Sequence, residues 1–266
     1  MAEADPDEEE VELQSAKIPD GPGTGKAEPK AKDDPDAELK FAAHEPASYE
    51  DLREAMDWAF AEEDVPSALL DQYARHALLV LEGNRRMNLT SIIEPRDMAA
   101  KHYLDCWRVT RLLPLIGKTV LDLGSGAGFP GVPMAMAEPN TRVVCLDSTK
   151  KRIDFIDACL EQLDVPNVST VWERGEEHLL RNKVNIVVMR AISSVRENVR
   201  LLRKVRHSLK DLVMMKGPSW SRETRAGERE VERLGFRLDT VWDHNLPGDM
   251  GVRAILVYRA PGGMGE

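Results

Sequence analysis

The sequence is poor in cysteine and lacks long apolar runs. Its 266 residues include three cysteines and no C-x-x-C pair, so neither a zinc site nor a disulfide framework is predicted. No run approaches the roughly 20 apolar residues that a membrane helix needs. The first ten residues are acidic, whereas a signal peptide is basic and then apolar. We therefore expect a cytoplasmic protein, with no metal ion and no membrane contact.

The 46 acids outnumber the 36 Lys and Arg, which gives a net charge of −10, but the charge is unevenly spread along the chain. Residues 1–46 hold 14 acids, 5 bases and almost no large apolar residues, a composition that predicts a disordered acidic tail. The remaining chain is nearly neutral, with 32 acids and 31 bases. Within it, residues 181–216 hold ten Lys or Arg and only two acids. This basic segment is the candidate surface for binding nucleic acid.

Three alternating glycines form the most informative feature of the chain. The run Val120-Leu-Asp-Leu-Gly-Ser-Gly-Ala-Gly-Phe-Pro-Gly131 is followed by a second apolar run that ends in Asp147. An apolar strand, a glycine turn, a helix, a second strand and a terminal acid describe a βαβ nucleotide-binding unit. Gly124 and Gly126 let a ligand approach the main chain closely. Asp147 lies 23 residues after Gly124, where such a fold places a carboxylate beside a ribose diol.

Two cofactors compete for this unit, a dinucleotide and S-adenosylmethionine. Read from Gly126, the segment satisfies G-x-G-x-x-G, so the pattern alone leaves a dinucleotide open. A pyrophosphate prefers backbone N–H groups with no anion nearby, and Asp122 stands two residues before the first glycine. The same carboxylate suits the ammonium and sulfonium groups of S-adenosylmethionine, which the sequence therefore favours.

Hydrophobic periodicity predicts helices in residues 47–117 and strands alternating with helices in residues 118–266. The predicted strands are 118–123, 142–147, 167–172, 184–190, 211–216, 236–242 and 252–259. The predicted helices lie at 97–113, 130–137, 149–163, 194–209 and 221–234. Alternation calls for a parallel sheet covered on both faces, and the last two strands, joined without a helix, should pair antiparallel. This α/β arrangement is the Rossmann-like class I methyltransferase fold, with 47–117 as a helical cap.

Several short motifs in order resemble one family, the bacterial small-subunit ribosomal RNA guanine-N7 methyltransferases (the glucose-inhibited division protein B family). The resemblance runs from about Leu78 to Lys216, and the Phe-Pro-Gly ending of the glycine motif is its most specific part. The matching pieces are Met87-Asn-Leu-Thr90, Lys101-His-Tyr-Leu-Asp105, Leu121-Asp-Leu-Gly-Ser-Gly-Ala-Gly-Phe-Pro-Gly131, Leu146-Asp-Ser148, Lys151-Arg152, Arg174-Gly-Glu-Glu177, Arg190-Ala191 and Lys216-Gly217.

The resemblance implies methyl transfer from S-adenosylmethionine to N7 of a guanine in 16S ribosomal RNA. By resemblance, cofactor contacts fall on Gly124, Phe129, Gly175, Glu176 and Arg190, to which the fold adds Asp147 and Gly126. Two of these have open alternatives. Glu176 either bonds the adenine amino group or is a solvated acid, and Phe129 either packs near the cofactor or fills the core.

This chain departs from the family's pattern at three places. The family usually has Trp-Asn where this chain has Gly83-Asn84, and Asp-Ser where it has Asp105-Cys106. A Phe that often follows Arg-Ala is Ile192 here. The first two departures fall in the predicted cap, so they bear on substrate recognition more than on cofactor binding.

Guanine N7 carries a lone pair, so methyl transfer needs positioning rather than a general base. Consistently, the sequence shows no His/Asp or Cys/His constellation. Arg190 and Lys216 end strands four and five, where ligands bind in this fold, and we expect them to contact phosphate, O6 or the cofactor carboxylate. Arg196, Arg200 and Arg203 share one face of the predicted helix 194–209 and would contact RNA phosphates.

Other readings stay open at this point. The chain could methylate another RNA, a small molecule or a protein, or bind the cofactor without turnover. His102 and Asp105 are three residues apart on a predicted helix, a spacing for metal binding or, more often, for packing. We expect a monomer that acts on the small ribosomal subunit or its RNA.

Overall fold

The computed structural model describes residues 47–260; the predicted disordered tail, 1–46, lies outside them. The helical region begins with α1 (Tyr49–Ala59) and α2 (Ser67–Met87). Ser48 caps α1 because its hydroxyl accepts the N–H of Asp51, whose carboxylate accepts the N–H of Ser48 in return. The next helix, predicted at 97–113, consists of α3 (Pro95–Met98), a π-helical segment (Ala99–Leu104) and α4 (Asp105–Leu112).

From residue 119 onward, strands and helices alternate as predicted. The strands are β1 (Thr119–Leu123), β2 (Arg142–Asp147), β3 (Val168–Trp172), β4 (Val184–Arg190), β5 (Leu209–Lys216), β6 (Arg237–Asn245) and β7 (Val252–Arg259). The helices between them are α5 (Gly131–Ala137), α6 (Lys150–Leu160), α7 (Gly175–Arg181), α8 (Val195–Leu201) and α9 (Trp220–Arg233). The proposed boundary of the cap at residue 117 falls between α4 and β1.

The seven strands form one sheet in the order β3-β2-β1-β4-β5-β7-β6. Strands β1 to β5 pair in parallel, while β7 is antiparallel to both β5 and β6. The predicted mostly parallel sheet with a final antiparallel pair is therefore confirmed. The carboxyl ends of the parallel strands meet at one edge, which is where this topology places ligands.

Both faces of the sheet are covered by helices. Successive side chains of a strand point to opposite faces, so neighbouring residues belong to different cores. Val120 belongs to a core shared with the amino-terminal helices and with α5 and α6. Its neighbour Leu121 belongs to the second core, on the side of α8 and α9. Within residues 47–260, no helix is both long enough and apolar enough to cross a membrane.

The predicted helix 194–209 is wrong in its second half. Ser194 and Glu197 form a capping box that starts α8, but the helix ends at Leu201 and two short 3₁₀ turns follow. The reason is long-range pairing, because Leu209 pairs with Val184 as the first residue of β5. The chain must therefore leave the helix before it reaches the sheet. Helix α7 was not predicted.

Candidate functional site

The glycine turn after β1 is held against the end of β2 by main-chain hydrogen bonds. The N–H groups of Gly124 and Ser125 both donate to the carbonyl of Leu146, at 2.7 and 3.0 Å. Gly124 and Gly126 have φ values of +76° and +57°, in the left-handed region that favours glycine. A Cβ on Gly126 would meet nothing within 4 Å. The main chain is therefore bare at this point and accessible to a ligand.

Asp147, at the end of β2, is hydrogen-bonded to this turn. Its Oδ2 accepts the N–H of Gly126 at 3.1 Å and its Oδ1 accepts that of Thr149 at 2.8 Å. Arg152 Nη1 lies 3.3 Å from Oδ2. The carboxylate is 2% exposed, yet it borders the bare main chain of Gly126. The position of this carboxylate beside an open glycine turn is consistent with the predicted ribose contact, which remains a prediction.

Asp122 lies beneath the turn and not on its open side. It is completely buried, and its Oδ2 accepts the N–H of Gly131 at 2.8 Å. Burial raises the pKa of Asp122 to about 7, because a charge is costly away from water. Near neutral pH this carboxyl group therefore carries less negative charge than the sequence suggests. A side chain at Gly131 would collide with Asp122 and Cys145, which explains the glycine that ends the Phe-Pro-Gly motif.

Phe129 packs into an aromatic cluster under the helical region. Its ring stacks on His102, with centroids 4.4 Å apart and planes 15° apart, and it also contacts His76 and Tyr103. The residue is 7% exposed. Of its two sequence alternatives, the structure places the ring in the core, and a cofactor contact by Phe129 remains a prediction.

Arg190, at the end of β4, is held in place by His102, which the sequence predicted only as a metal or packing residue. Its Nη2 donates to Nδ1 of His102, since a guanidinium can only donate. The other ring nitrogen, Nε2, then donates to Thr90 Oγ1 at 3.1 Å. Burial, reinforced by the Arg190 charge, holds the pKa of His102 well below its usual value. A neutral imidazole therefore orients the cation.

Asn84 extends this chain of contacts into α2. Its amide donates to the carbonyl of Thr90 at 2.8 Å and accepts the N–H of Thr90 at 2.9 Å. Asn84 and three separate motif pieces, at 90, 102 and 190, thus form one hydrogen-bonded series that ends on Arg190. The signal in the sequence was their order along the chain, which could not show that they touch.

A left-handed turn at Ala191, with φ of +52°, separates Arg190 from Ile192. A non-glycine residue in this region is strained, which is typical of functional sites. Beyond the turn, Ile192 approaches Gly124 so closely that a Cβ there would lie 3.0 Å from its side chain. The ends of β1 and β4 are therefore in direct contact through Ile192 and Gly124.

Lys216 ends β5 and is 8% exposed. Its Nζ donates to the carbonyl of Ser193 and lies 3.0 Å from Oε2 of Glu223 in α9. These side chains line a cavity of about 510 Å³ at the carboxyl ends of β4 and β5. Four cations and two carboxylates face it, namely Lys101, Arg190, Lys216, Arg253, Asp105 and Glu223.

The remaining predicted cofactor residues lie at the start of α7. Gly175 is buried against Leu123 of β1, whose side chain fills the place of any Cβ at 175. Glu176 follows it in the first turn and is half-buried. The glycine therefore brings α7 up to the end of β1, and the contact of Glu176 with an adenine amino group remains a prediction.

The structure accounts for two of the family departures. Gly83 faces Phe155 of α6, whose ring occupies the space of a side chain at 83. Cys106 Sγ lies 3.5 Å from Arg190 Nη1, and burial raises the pKa of its thiol to about 12. A neutral thiol therefore stands beside the cation of Arg190.

His102 and Asp105 do not converge. Asp105 instead contacts His244 at 3.3 Å and Arg253 at 4.0 Å. Across residues 47–260, no group of three or more His, Cys, Asp or Glu side chains is arranged to hold a metal ion.

The predicted basic face on 194–209 needs correction. Arg196 and Arg200 both reach Oε1 of Glu230 in α9, at 2.9 and 3.0 Å, so one carboxylate already offsets part of their charge. Arg203 lies in the 3₁₀ turn beyond the end of α8 and does not continue their row.

The sheet order and the glycine turn that Asp147 closes define a class I S-adenosylmethionine-dependent methyltransferase. The family model "rRNA small subunit methyltransferase G" matches residues 68–245. The chain is 34% identical over 201 residues to the ribosomal RNA small subunit methyltransferase G of Solibacter usitatus, covering 74% of this chain and 94% of that relative. It is 35% identical over 198 residues to the protein of that name from Trichormus variabilis, covering 68% and 78%. The chain therefore belongs to the rRNA small subunit methyltransferase G family.

Proposed function

We propose that the protein transfers a methyl group from S-adenosylmethionine to N7 of a guanine in 16S ribosomal RNA. The proposal rests on the contact between two parts of the site, the cavity at the ends of β4 and β5 and the glycine turn after β1. Ile192, which lines the cavity, lies against Gly124 of the turn. A cofactor bound at the turn and a substrate bound in the cavity would therefore meet at that contact. We also propose that the enzyme works in the cytoplasm as a monomer.

When bound, S-adenosylmethionine supplies an electrophilic methyl group on a sulfonium sulfur. The N7 lone pair needs no residue to remove a proton, so the residues act by holding the two reactants in line. Asp147 and Gly126 would hold the ribose, and Gly175 and Glu176 at the start of α7 would bind the adenine. Arg190 contacts a phosphate, O6 or the cofactor carboxylate, in an orientation that His102 fixes.

The pair Lys216–Glu223 matches the edge of guanine. An ammonium can donate to O6, while the neighbouring carboxylate can accept from N1–H and the exocyclic amine. Adenine offers the opposite pattern, with an amino donor in place of O6. The pair therefore favours guanine, and it leaves N7 free of a pressing cation, which suits a product that gains positive charge.

Mapping of 7-methylguanine tests the function. Small-subunit RNA from a deletion strain, cleaved with aniline and read by primer extension, should lose one signal that the wild-type gene restores. An unchanged pattern contradicts the proposal. In vitro transfer of labelled methyl to a ribonuclease-resistant acceptor, with none to ribosomal subunits, would instead identify a protein or small-molecule substrate.

A further inference from the structure

Helix α9 carries a row of four arginines on its outer face. Arg222, Arg225, Arg229 and Arg233 follow one another at steps of three and four residues, which return to the same side of a helix. All four are exposed. The buried residues of α9, Gly227 and Val231, lie on the opposite side.

Charged residues on the inner and outer faces of α9 differ in their ion pairing. Glu230 of α9 pairs with Arg196 and Arg200, and Glu223 pairs with Lys216. Gly227 permits this close packing, since a Cβ there would collide with Val195 of α8. By contrast, the four outer arginines form no ion pair within residues 47–260.

An unpaired row of like charges has an energetic cost. Like charges three or four residues apart destabilise a helix by about 0.2–0.5 kcal/mol per pair, and the row contains three such pairs in succession. Glu223 and Glu230 face α8 and β5, and the two exposed acids that flank the row, Glu228 and Glu232, form no ion pair with its arginines within residues 47–260. A polyanion laid along the helix would convert this repulsion into attraction.

The position of the row relates it to the cavity. Helix α9 starts beside the carboxyl end of β5, and Glu223, in its first turn, lines the cavity. The row therefore begins next to the cavity at Arg222. It extends for about 16 Å to Arg233, given a rise of about 1.5 Å per residue.

We propose that this arginine row binds the backbone phosphates of the RNA strand that presents the target guanine to the cavity. The inference rests on the proposed function and moves the RNA-contacting surface from segment 181–216 to the outer face of α9. Arginine suits the role because its planar, permanently charged head pairs bidentately with phosphate.

The test compares two full-length triple variants that lose the same charge. One carries Arg225→Gln, Arg229→Gln and Arg233→Gln, which spares the cavity. The matched control carries Arg142→Gln, Lys183→Gln and Lys210→Gln, three exposed cations at the amino ends of the parallel strands, on the opposite edge of the sheet. Binding of naked 16S ribosomal RNA is measured from low to high salt, with thermal unfolding as a check on folding.

Each phosphate contact contributes about 0.7–0.9 to the slope of log affinity against log salt. We therefore expect the α9 variant to reduce that slope by about 2–3, while the control changes it by less than 1. An unchanged slope, or an equal reduction in the control, overturns the proposal. Weakened binding to assembled 30S subunits with unchanged binding to naked RNA also overturns it, and would identify a ribosomal protein as the partner.

Methyl transfer by the wild type, assayed in parallel, separates this inference from the proposed function. Activity on RNA together with an unchanged α9 slope refutes the inference alone. A reduced slope without any methyl transfer supports the RNA-binding surface and refutes the proposed reaction.

Discussion

The two halves of the sheet's carboxyl edge are built in opposite ways. At the ends of β1 and β2, the carboxylates of Asp122 and Asp147 accept main-chain N–H groups of the glycine turn. At the ends of β4 and β5, the cations of Arg190 and Lys216 donate to an uncharged ring nitrogen and to a main-chain carbonyl. Acids bind the backbone in the cofactor half, whereas in the substrate half two neutral acceptors and the carboxylate of Glu223 hold cationic side chains in place.

This difference is matched by the distance in sequence between the residues that form each half. The glycine turn and Asp147 of the cofactor half are joined through the backbone, which requires glycine, and they lie within one βαβ unit. The substrate half acts through side chains supplied by distant segments, including α2 and the π-helical segment. The first can therefore be recognised as a local motif, whereas the second exists only after folding.

The largest effect is expected from Arg190→Ala in the substrate half. Removing a positioned charged donor typically lowers the rate by about 10²–10³, so kcat/KM for RNA methylation should fall by that amount. Cofactor affinity, measured by calorimetry, should fall by less than about tenfold. The matched control is Arg142→Ala, an exposed arginine at the far edge of the sheet. A loss of cofactor affinity that accounts for the whole effect would place Arg190 in the cofactor half.

Asp147→Ala should produce the next largest effect, confined to the cofactor half. The substitution removes a ribose acceptor and frees the N–H groups of Gly126 and Thr149. Loss of one charged hydrogen bond corresponds to a dissociation constant about 10–100-fold higher. Asp154→Ala, which removes an exposed carboxylate of α6 that pairs with Lys150, serves as the control. An unchanged dissociation constant contradicts the assignment of Asp147.

Local signals predicted most of the fold. Strands β2, β4 and β7 have the predicted bounds, and the parallel sheet with its final antiparallel pair follows from alternation and from the missing helix before β7. The errors arose where long-range pairing decides. Periodicity predicted a helix from 194 through 209. In the structure, Leu209 pairs with Val184 and is the first residue of β5.

The site was predictable to a similar degree and for the same reason. Residues 124, 126 and 147 lie together because one supersecondary unit brings them together. The contact of His102 with Arg190 spans 88 residues, and nothing in the spacing of either motif indicates it. The charge of Asp122 was misjudged because sequence cannot show that a residue at a strand end is completely buried.

The smallest effect on function is expected at Asp122, which should instead give stability a pH dependence. Its pKa of about 7 in the folded protein exceeds the value of roughly 3.9 for a solvated Asp, so the folded state binds the extra proton between these values. The free energy of unfolding should therefore fall as pH rises from about 4 to 7, by about 1 kcal/mol per pH unit from this group, and then level off. Asp122→Asn, which still accepts the Gly131 N–H but cannot ionise, should remove this component in urea titrations at several pH values.

The comparison of the two halves predicts that cofactor affinity survives the substitution, because Asp122 supports the turn from below. Asp154→Asn controls for the loss of a carboxylate, and a variant at 122 with the wild-type pH slope would show that Asp122 is ionised throughout.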